Sequence, residues 1–259
     1  MLLKCEQVWQ KQNGDTWIEV SIMTKIFAVT LGFIVFAAGI AFSNPNSGAI
    51  VSPDEALQKL MDGNKHFIEN KLTNAAMSDA ATRTSLVKSQ KPYAIILTCS
   101  DSRVPPEIIF DKGLGEIFVV RVAGNIPDPV VLGSIEYAAK HLGSPLIMVL
   151  GHERCGAVTA TVDLKGKSTG SKNIDAIVKL IKLNIYLAAK YCDACKGDKK
   201  CAETKKNEFM ECVIDANAKT VAATLTHKSV ILKHLVEAKK IRIVAAKYDL
   251  DDGIVTLFR

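Results

Sequence analysis

Short, continuous apolar runs constrain the fold of this chain more than any other feature. Four such runs are too short for buried helices: YAIILT (93–98), EIFVVRV (116–122), PLIMVLG (145–151) and IRIVAAKY (241–248). Helical patterns lie between them, such as VVLGSIEYAAKHLG at 130–143. Strands that are apolar at every position are buried on both faces, which is typical of a parallel sheet covered by helices. The sequence therefore predicts an α/β fold with a central, mostly parallel β-sheet flanked by helices.

The segments before and after these strands complete a predicted domain at 53–259. Ser52, Pro53 and Glu55 have the spacing of a helix start, with serine as the N-cap and proline at the first helical position. This predicts an N-terminal helical arm, and we also expect a helical C-terminal part. The turn DLDDG precedes IVTLF at 254–258, which we predict to be a last strand at the sheet edge.

Residues 1–43 differ in composition from the rest of the chain. Lys25 precedes an uncharged apolar run at 26–42, and small residues follow this run. Such an order is typical of a secretory signal peptide, whereas a membrane-spanning helix needs about 20 apolar residues. We therefore predict a signal peptide, with an uncleaved membrane anchor and a buried core helix as alternatives. A linker at 44–52 follows.

The start of the chain also bears on where the protein is found. Met23 stands just before Lys25, and a signal that begins there leaves residues 1–22 as a mis-assigned start. The prediction is an exported protein, periplasmic or secreted, with membrane attachment only if the N-terminal segment is not cleaved.

The charge of the chain excludes one class of partner. The formal net charge is +6, but the lysines are scattered and no basic stripe alternates with aromatic residues. Nucleic-acid-binding surfaces concentrate their basic residues, so we predict that the protein does not bind nucleic acid.

Soft metal ligands follow two of the predicted strands. Cys99 comes directly after the strand at 93–98, and His152 and Cys155 come directly after the strand at 145–151. The carboxyl ends of parallel strands meet at one edge of a sheet, where ligands bind. Two thiolates and one imidazole form a three-ligand zinc set with an open fourth position, which is the catalytic pattern. The alternative is two buried structural cysteines beside a hydrogen-bonded histidine.

A carboxylate and a guanidinium stand beside the first cysteine. Asp101 lies two residues after Cys99, where its carboxylate can accept a proton from a metal-bound water or occupy the fourth position itself. Arg103 can hold that carboxylate through two hydrogen bonds and keep it ionised. The alternative is a surface ion pair, which contributes little to stability.

The two cysteine-containing motifs resemble those of one enzyme family. CSDSRVP at 99–105 and HERCGAV at 152–158 are similar to the CxDxR and HxxC motifs of the beta-class carbonic anhydrases. DKGLGEIFVVRVAGN at 111–125, the IEYA helix and the closing YDLDDG resemble the family too. The resemblance covers most of residues 53–259.

The resemblance implies an activity and a site. One Zn²⁺ per chain is expected on Cys99, His152 and Cys155, and zinc-bound hydroxide is expected to hydrate carbon dioxide reversibly to bicarbonate and a proton. The Asp101–Arg103 dyad is expected to control the open position. Two alternatives are hydrolysis of carbonyl sulfide or carbon disulfide at the same zinc site, and a zinc-binding scaffold without catalysis.

Further residues place the chain in a subgroup of this family by resemblance. The subgroup with a self-closing site carries a tryptophan where this chain has Ile96, whereas the other carries a glutamine where this chain has Gln90. Phe118 and Tyr137 match its pocket residues. The resemblance therefore implies an always-open site, in which Gln90 and the backbone N–H of Gly156 hold the oxygens of the substrate or of bicarbonate. It also implies a homodimer or tetramer, with Phe118 contributed across the interface.

One segment interrupts the resemblance. YCDACKGDKKCAETKKNEFMEC at 191–212 is polar, rich in lysine and predicted to be an inserted loop between helices. In an exported protein its even set of cysteines predicts two disulfides. A second, structural zinc site and free thiols are the alternatives. The set comprises Cys192, Cys195, Cys201 and Cys212.

Overall fold

The computed structural model describes residues 9–12, 16–19, 51–164, 167–191 and 206–258. The chain divides into two compact units, residues 1–47 and 48–259. In the first unit, β1 (Trp9–Gln12) pairs antiparallel with β2 (Thr16–Glu19). The sequence did not predict this hairpin. The predicted signal run at 26–42 lies outside the described residues.

The second unit is built on a five-stranded sheet, as the apolar runs predicted. Its spatial order is β4-β3-β5-β6-β7. The first four strands in this order run parallel, and β7 pairs antiparallel with β6 at the edge. The strands are β3 (Ala94–Thr98), β4 (Ile117–Arg121), β5 (Leu146–His152), β6 (Arg242–Tyr248) and β7 (Val255–Leu257).

Helices cover both faces of this sheet, which confirms the predicted fold class. The helices that precede β5 in the chain are α1 (Pro53–Ile68), α2 (Ala80–Leu86), α3 (Pro106–Ile109) and α4 (Pro129–Tyr137). Those after it are α5 (Gly156–Asp163), α6 (Lys172–Tyr191), α7 (Lys206–Lys228) and α8 (Val230–Glu237). Within the described residues, no helix combines the length and apolarity needed to span a bilayer.

Shorter helical segments complete the order of elements. A 3₁₀ turn occupies Ala76–Ser78 and another occupies Ala123–Asn125. The helix predicted at 130–143 is α4 continued by a wider π turn, Ala138–Leu142, that ends at Gly143 with φ +75°. The predicted start of α1 is confirmed, because Ser52 Oγ accepts a hydrogen bond of 3.2 Å from the N–H of Glu55.

The predicted insertion at 191–212 is helical at both ends. Tyr191 is the last residue of α6, and α7 begins at Lys206. The prediction of a loop is therefore wrong for 206–212, where a lysine-rich and polar sequence continues as a long helix because its apolar residues pack inward. Residues 192–205 lie outside the described part of the chain.

Each face of the sheet has its own hydrophobic cluster. On one face Ile96 and Met148 pack with Leu60 of α1 and Phe110. On the other face Ile95 and Ile147 pack with residues of α4, α7 and α8. Burial of β3 and β5 on both faces explains why these strands carry apolar residues at every position, and it makes them the rigid centre of the domain.

A third cluster covers the carboxyl ends of β3 and β5. It includes the two cysteines that follow these strands, together with apolar residues of α5, α6 and α7. These helices therefore form an apolar wall around the predicted site. Its members are Cys99, Ile126, Cys155, Val158, Ile181, Phe209, Met210, Val213 and Ile214.

Candidate active site

The fold brings the three predicted metal ligands together. Cys99 follows β3, His152 is the last residue of β5 rather than the first after it, and Cys155 is the N-cap of α5. All three are buried, with exposed fractions of 5%, 0% and 1% in that order. The two sulfurs are 4.0 Å apart, and the three ligand atoms lie within 4.8 Å of one another.

This geometry fits a tetrahedral zinc ion. Zn–S bonds of about 2.3 Å at a tetrahedral angle require sulfurs about 3.8 Å apart, close to the observed separation. The Nδ1 of His152 lies 2.8 Å from the carbonyl oxygen of Glu153, so this nitrogen is the donor and Nε2 is left with a lone pair. His152 Nε2 is buried and has no hydrogen-bond partner. A buried imidazole nitrogen without a hydrogen-bond partner, beside two thiols, is available to ligate a metal ion.

The two thiols share one hydrogen bond, in which either sulfur can be the donor. This contact lowers the pKa of Cys99 and raises the pKa of Cys155. The N–H of Gly124 also donates to Cys99 Sγ, at 3.4 Å. A cation held between the two sulfurs would favour the thiolate form of both.

Asp101 and Arg103 form the dyad that the sequence predicted. Arg103 Nε donates to one carboxylate oxygen at 2.9 Å and Nη2 donates to the other at 2.7 Å. These hydrogen bonds hold the pKa of Asp101 well below its usual range. Asp101 Oδ2 lies 4.0 Å from His152 Nε2, at the edge of the ligand group, so the carboxylate is ionised and turned toward the arginine.

Sequence reasoning missed the residue that shapes this loop. Arg121, at the end of β4, donates from Nε to the carbonyl oxygen of Cys99 at 3.0 Å and from Nη2 to that of Asp101 at 2.6 Å. One guanidinium therefore fixes two peptides of the loop between a metal ligand and the dyad. No motif marks Arg121, because a charged residue at a strand end is common on protein surfaces.

Gly156 lies at the start of α5, next to Cys155. It is the first residue of α5 and is exposed, and a Cβ added to it would meet no atom within 4 Å. The first N–H groups of a helix have no intrahelical partner and carry partial positive charge. The start of α5, beside Cys155, therefore offers an anion a backbone donor.

Within one chain, the other three predicted pocket residues lie away from the ligands. Gln90 precedes the start of β3, and its side chain makes no hydrogen bond with any described residue. Phe118 pairs with Ile95 in the sheet register and lies about 10 Å from the carboxyl end of β4 at the usual strand rise. The ring of Tyr137 lies 6.4 Å from that of Phe118 and is half exposed. All three therefore lie toward the amino ends of the strands.

A buried Cys₂His group at the carboxyl ends of a parallel sheet defines an α/β protein with a metal-binding site of the catalytic type. Comparison with known proteins narrows this class. A family model described as carbonic anhydrase matches residues 94–255. Carbonic anhydrase 2 of Mycobacterium tuberculosis is 36% identical over 207 residues, which cover 80% of this chain and 93% of that protein. The chain belongs to the carbonic anhydrase family.

Other relatives agree in sequence and in fold. A carbonic anhydrase of Mycolicibacterium smegmatis is 36% identical and covers 82% of this chain and 95% of its own. The solved beta-carbonic anhydrase CcaA is 22% identical, with a TM-score of 0.62 over 78% of this chain and 95% of its own. A structure of tetrameric beta-carbonic anhydrases from Sordaria macrospora is 20% identical. Its TM-score is 0.60, over 78% of this chain and 96% of its own. At such identities these structures support the beta-class fold alone.

Proposed function

We propose that the protein hydrates carbon dioxide reversibly at one Zn²⁺ held by Cys99, His152 and Cys155. The observation that supports this most directly is the buried, unpartnered Nε2 of His152 beside two thiols 4.0 Å apart. When bound, zinc supplies Lewis acidity that favours ionisation of water near neutral pH. The hydrolysis of carbonyl sulfide or carbon disulfide and a non-catalytic scaffold are less favoured, since the curated relatives are named carbonic anhydrases.

The surrounding residues orient the reactants. Asp101, kept ionised by Arg103, accepts a hydrogen bond from the water that reacts with carbon dioxide and so directs the lone pair of its oxygen. The N–H of Gly156 donates to an oxygen of bicarbonate, because negative charge accumulates there during hydration. The apolar wall of Ile126, Val158 and Met210 excludes bulk water from the ligands.

The site is proposed to be of the always-open form. Both carboxylate oxygens of Asp101 are held by Arg103, which supports a dyad that stays off the metal. Ile96 stands where the self-closing subgroup resembled by the sequence carries tryptophan. In this form activity declines gently as the pH falls, because the pKa of Asp101 lies well below neutrality.

A second subunit is proposed to complete the pocket. Gln90, Phe118 and Tyr137 lie toward the opposite end of their own sheet from the ligands, and Tyr137 is 50% exposed. The Sordaria macrospora relatives are described as tetrameric, which supports a homodimer or tetramer here. Co-expression of a Gln90→Ala chain with an Asp101→Asn chain tests this: mixed dimers with one intact site regain activity, whereas independent subunits regain none.

Export is proposed from the N-terminal sequence. Lys25, the apolar run at 26–42 and the small residues after it support a signal peptide, with membrane anchoring as the alternative. N-terminal sequencing of the protein recovered from the periplasm of an expressing bacterium is expected to give a start between residues 43 and 52. An intact N-terminus in the membrane fraction supports the anchor instead.

The four additional cysteines are proposed to form two disulfides in the exported protein. Cys212 has the geometry of a disulfide cysteine, which supports disulfides over a second zinc site. The other three cysteines lie outside the described residues. Mass spectrometry under non-reducing conditions is expected to give a mass lower by four hydrogens, about 4 Da, than that of the reduced chain. An unchanged mass with two zinc ions per chain supports the structural zinc site.

Stopped-flow hydration of carbon dioxide, with zinc quantified per chain, tests the principal proposal. We expect turnover with one zinc per chain and a gentle decline between about pH 9 and 6.5. A steep loss of activity below about pH 8 would show that Asp101 closes the site. One bound zinc without hydration at any pH would contradict the proposed activity and favour the sulfur substrates, tested next.

A further inference from the structure

A chain of buried hydrogen bonds leads from two helices to one metal ligand. Asn184 of α6 donates from Nδ2 to Asn217 Oδ1 at 2.6 Å. Asn217 of α7 donates from Nδ2 to the carbonyl oxygen of Gly124 at 2.9 Å. The N–H of Gly124 then donates to Cys99 Sγ at 3.4 Å. Both asparagines are buried, with exposed fractions of 5% and 1%. Neither residue was singled out by the sequence motifs.

The orientation of the Asn217 amide follows from its partners. A carbonyl oxygen only accepts hydrogen bonds, so the amide nitrogen must face Gly124 and the amide oxygen must face Asn184. A second contact of the same nitrogen, 3.4 Å from Asn125 Oδ1, agrees with this orientation. The donors of Asn217 are therefore directed at the 3₁₀ turn that carries Gly124.

The backbone of this turn lies very close to side chains of α5 and α6. Gly124 has φ +73°, and a Cβ there would lie 2.6 Å from Cδ1 of Ile181 and 3.3 Å from the Cβ of Ala157. The glycine lets the peptide N–H reach the sulfur, and Asn217 fixes the carbonyl on the other side of the same α-carbon. The pair of contacts sets the direction of the N–H donor.

General helix packing does not explain Asn217. Asparagine is a poor helix former, and a buried amide costs free energy unless all its groups are paired. The amide of Asn217 is paired with Asn184 and with the turn that carries Gly124, and through Gly124 its contacts lead to the sulfur of Cys99.

We propose that Asn217, supported by Asn184, is a positioning residue that aims the Gly124 N–H at Cys99 Sγ and so limits the charge this sulfur donates to the metal. The inference rests on the proposed zinc ligation by Cys99, His152 and Cys155. An N–H···S hydrogen bond withdraws electron density from a thiolate, and partners of metal ligands commonly change metal affinity by about 10- to 100-fold.

The test compares Asn217→Leu with a matched control, Asn64→Leu. Asn64 is also a buried helical asparagine, 2% exposed, and donates to the carbonyls of Ile109 and Gly253 on the opposite face of the sheet. Cobalt-substituted protein is examined for its sulfur-to-cobalt charge-transfer band, and zinc release to a chelator is timed. For Asn217→Leu we expect the band at longer wavelength, because the sulfur donates more charge, and zinc release about tenfold faster, because the sulfur of Cys99 is no longer held in place. The control is expected to retain both wild-type values even where its thermal midpoint falls.

The outcomes separate this inference from the metal site itself. An unchanged band and release rate in Asn217→Leu, with a thermal midpoint lowered as in the control, would overturn the positioning role while leaving zinc ligation intact. Wild-type protein that binds neither metal would overturn both. Asn184→Leu is measured alongside as a milder variant that retains the Asn217 donors. We expect its charge-transfer band to shift in the same direction by a smaller amount. The absence of a shift in both variants overturns the proposal.

Discussion

Two buried polar clusters in this domain use similar groups in opposite ways. Around Asp111, which is 1% exposed, the carboxylate accepts hydrogen bonds from the N–H groups of Thr73 and Asn74, from Thr73 Oγ1 and from His66. Every oxygen is satisfied from within the chain. At the carboxyl ends of the strands, by contrast, the Nε2 of His152 has no partner.

The contrast distinguishes a structural cluster from a binding site. Buried polar atoms cost free energy unless they are paired, so the chain completes the Asp111 cluster and thereby fastens the segment after α1 to the end of α3. In the cluster of His152, Cys99 and Cys155, by contrast, the Nε2 atom of His152 has no hydrogen-bond partner. A cation bound to all three ligand atoms would complete this cluster, so one cluster predicts stability and the other predicts chemistry.

The largest expected effect comes from removing one ligand at the incomplete cluster. Cys155→Ser replaces a soft thiolate with a hydroxyl that zinc binds poorly, so zinc per chain and hydration of carbon dioxide are both expected to fall to background. Metal analysis and stopped-flow assays measure these quantities. Asp111→Asn is the control and should retain the zinc. A Cys155→Ser protein with full zinc and turnover would refute the ligand assignment.

Substitution of Asp101, which lies beside the cluster of His152, Cys99 and Cys155, should separate metal binding from catalysis. Asp101→Asn is expected to retain one zinc per chain and to lose about 100-fold in turnover, since the neutral amide no longer acts as a pure acceptor toward the reacting water. The same assays measure this. Equal losses of zinc and turnover would mean that Asp101 supports the metal rather than the reaction.

At the complete cluster, substitution should affect stability alone. Asp111→Ala removes the acceptor of four hydrogen bonds and leaves the N–H groups of Thr73 and Asn74 without it, at an expected cost of about 3 kcal/mol in the free energy of unfolding. Asp111 also has φ +49°, which alanine tolerates poorly. Urea unfolding followed by circular dichroism measures the change. Loss of zinc from this variant while it is still folded would show that the two clusters are coupled.

The smallest expected effect is on acid sensitivity. Burial raises the pKa of Asp111, but the hydrogen bonds from His66, Thr73 and Asn74 together lower it below its usual value. A depressed folded-state pKa contributes stability that is present above the unfolded value, about 3.9, and is lost as the pH falls below it. Asp111→Asn should therefore flatten the dependence of unfolding free energy on pH below about 4. An unchanged slope there would contradict this.

The sequence predicted the sheet and the ligands because both depend on local patterns. Apolar runs identified β3 and β5, and the positions of Cys99 and His152 at their ends placed these residues at one edge of the sheet. The dyad of Asp101 and Arg103 followed from the same placement. These predictions needed no knowledge of how distant helices pack.

Features that depend on tertiary packing were not predicted. Asn217 lies within a helix, 93 residues from the carbonyl of Gly124 that it binds, and an asparagine in a helical pattern gives no sign of such a contact. Arg121 was missed for the same reason. The helical start of α7 at Lys206 was predicted as a loop, because lysine-rich polar sequence is typical of loops and the inward packing of Phe209 and Met210 was not recognised.

The register between β3 and β5 has a consequence for the geometry of the candidate site. Thr98 pairs with Leu150, and Thr98 Oγ1 also donates to the Leu150 carbonyl at 2.9 Å. Cys99 follows Thr98 and His152 lies two residues after Leu150, so the distance between them is governed by the spacing of hydrogen-bonded strands, about 4.8 Å. Backbone pairing in the middle of a sheet resists expansion far more than loops do. The separation of these two candidate ligands is therefore set by the stiffest part of the domain, and changes in the outer loops can alter access to them without altering that separation.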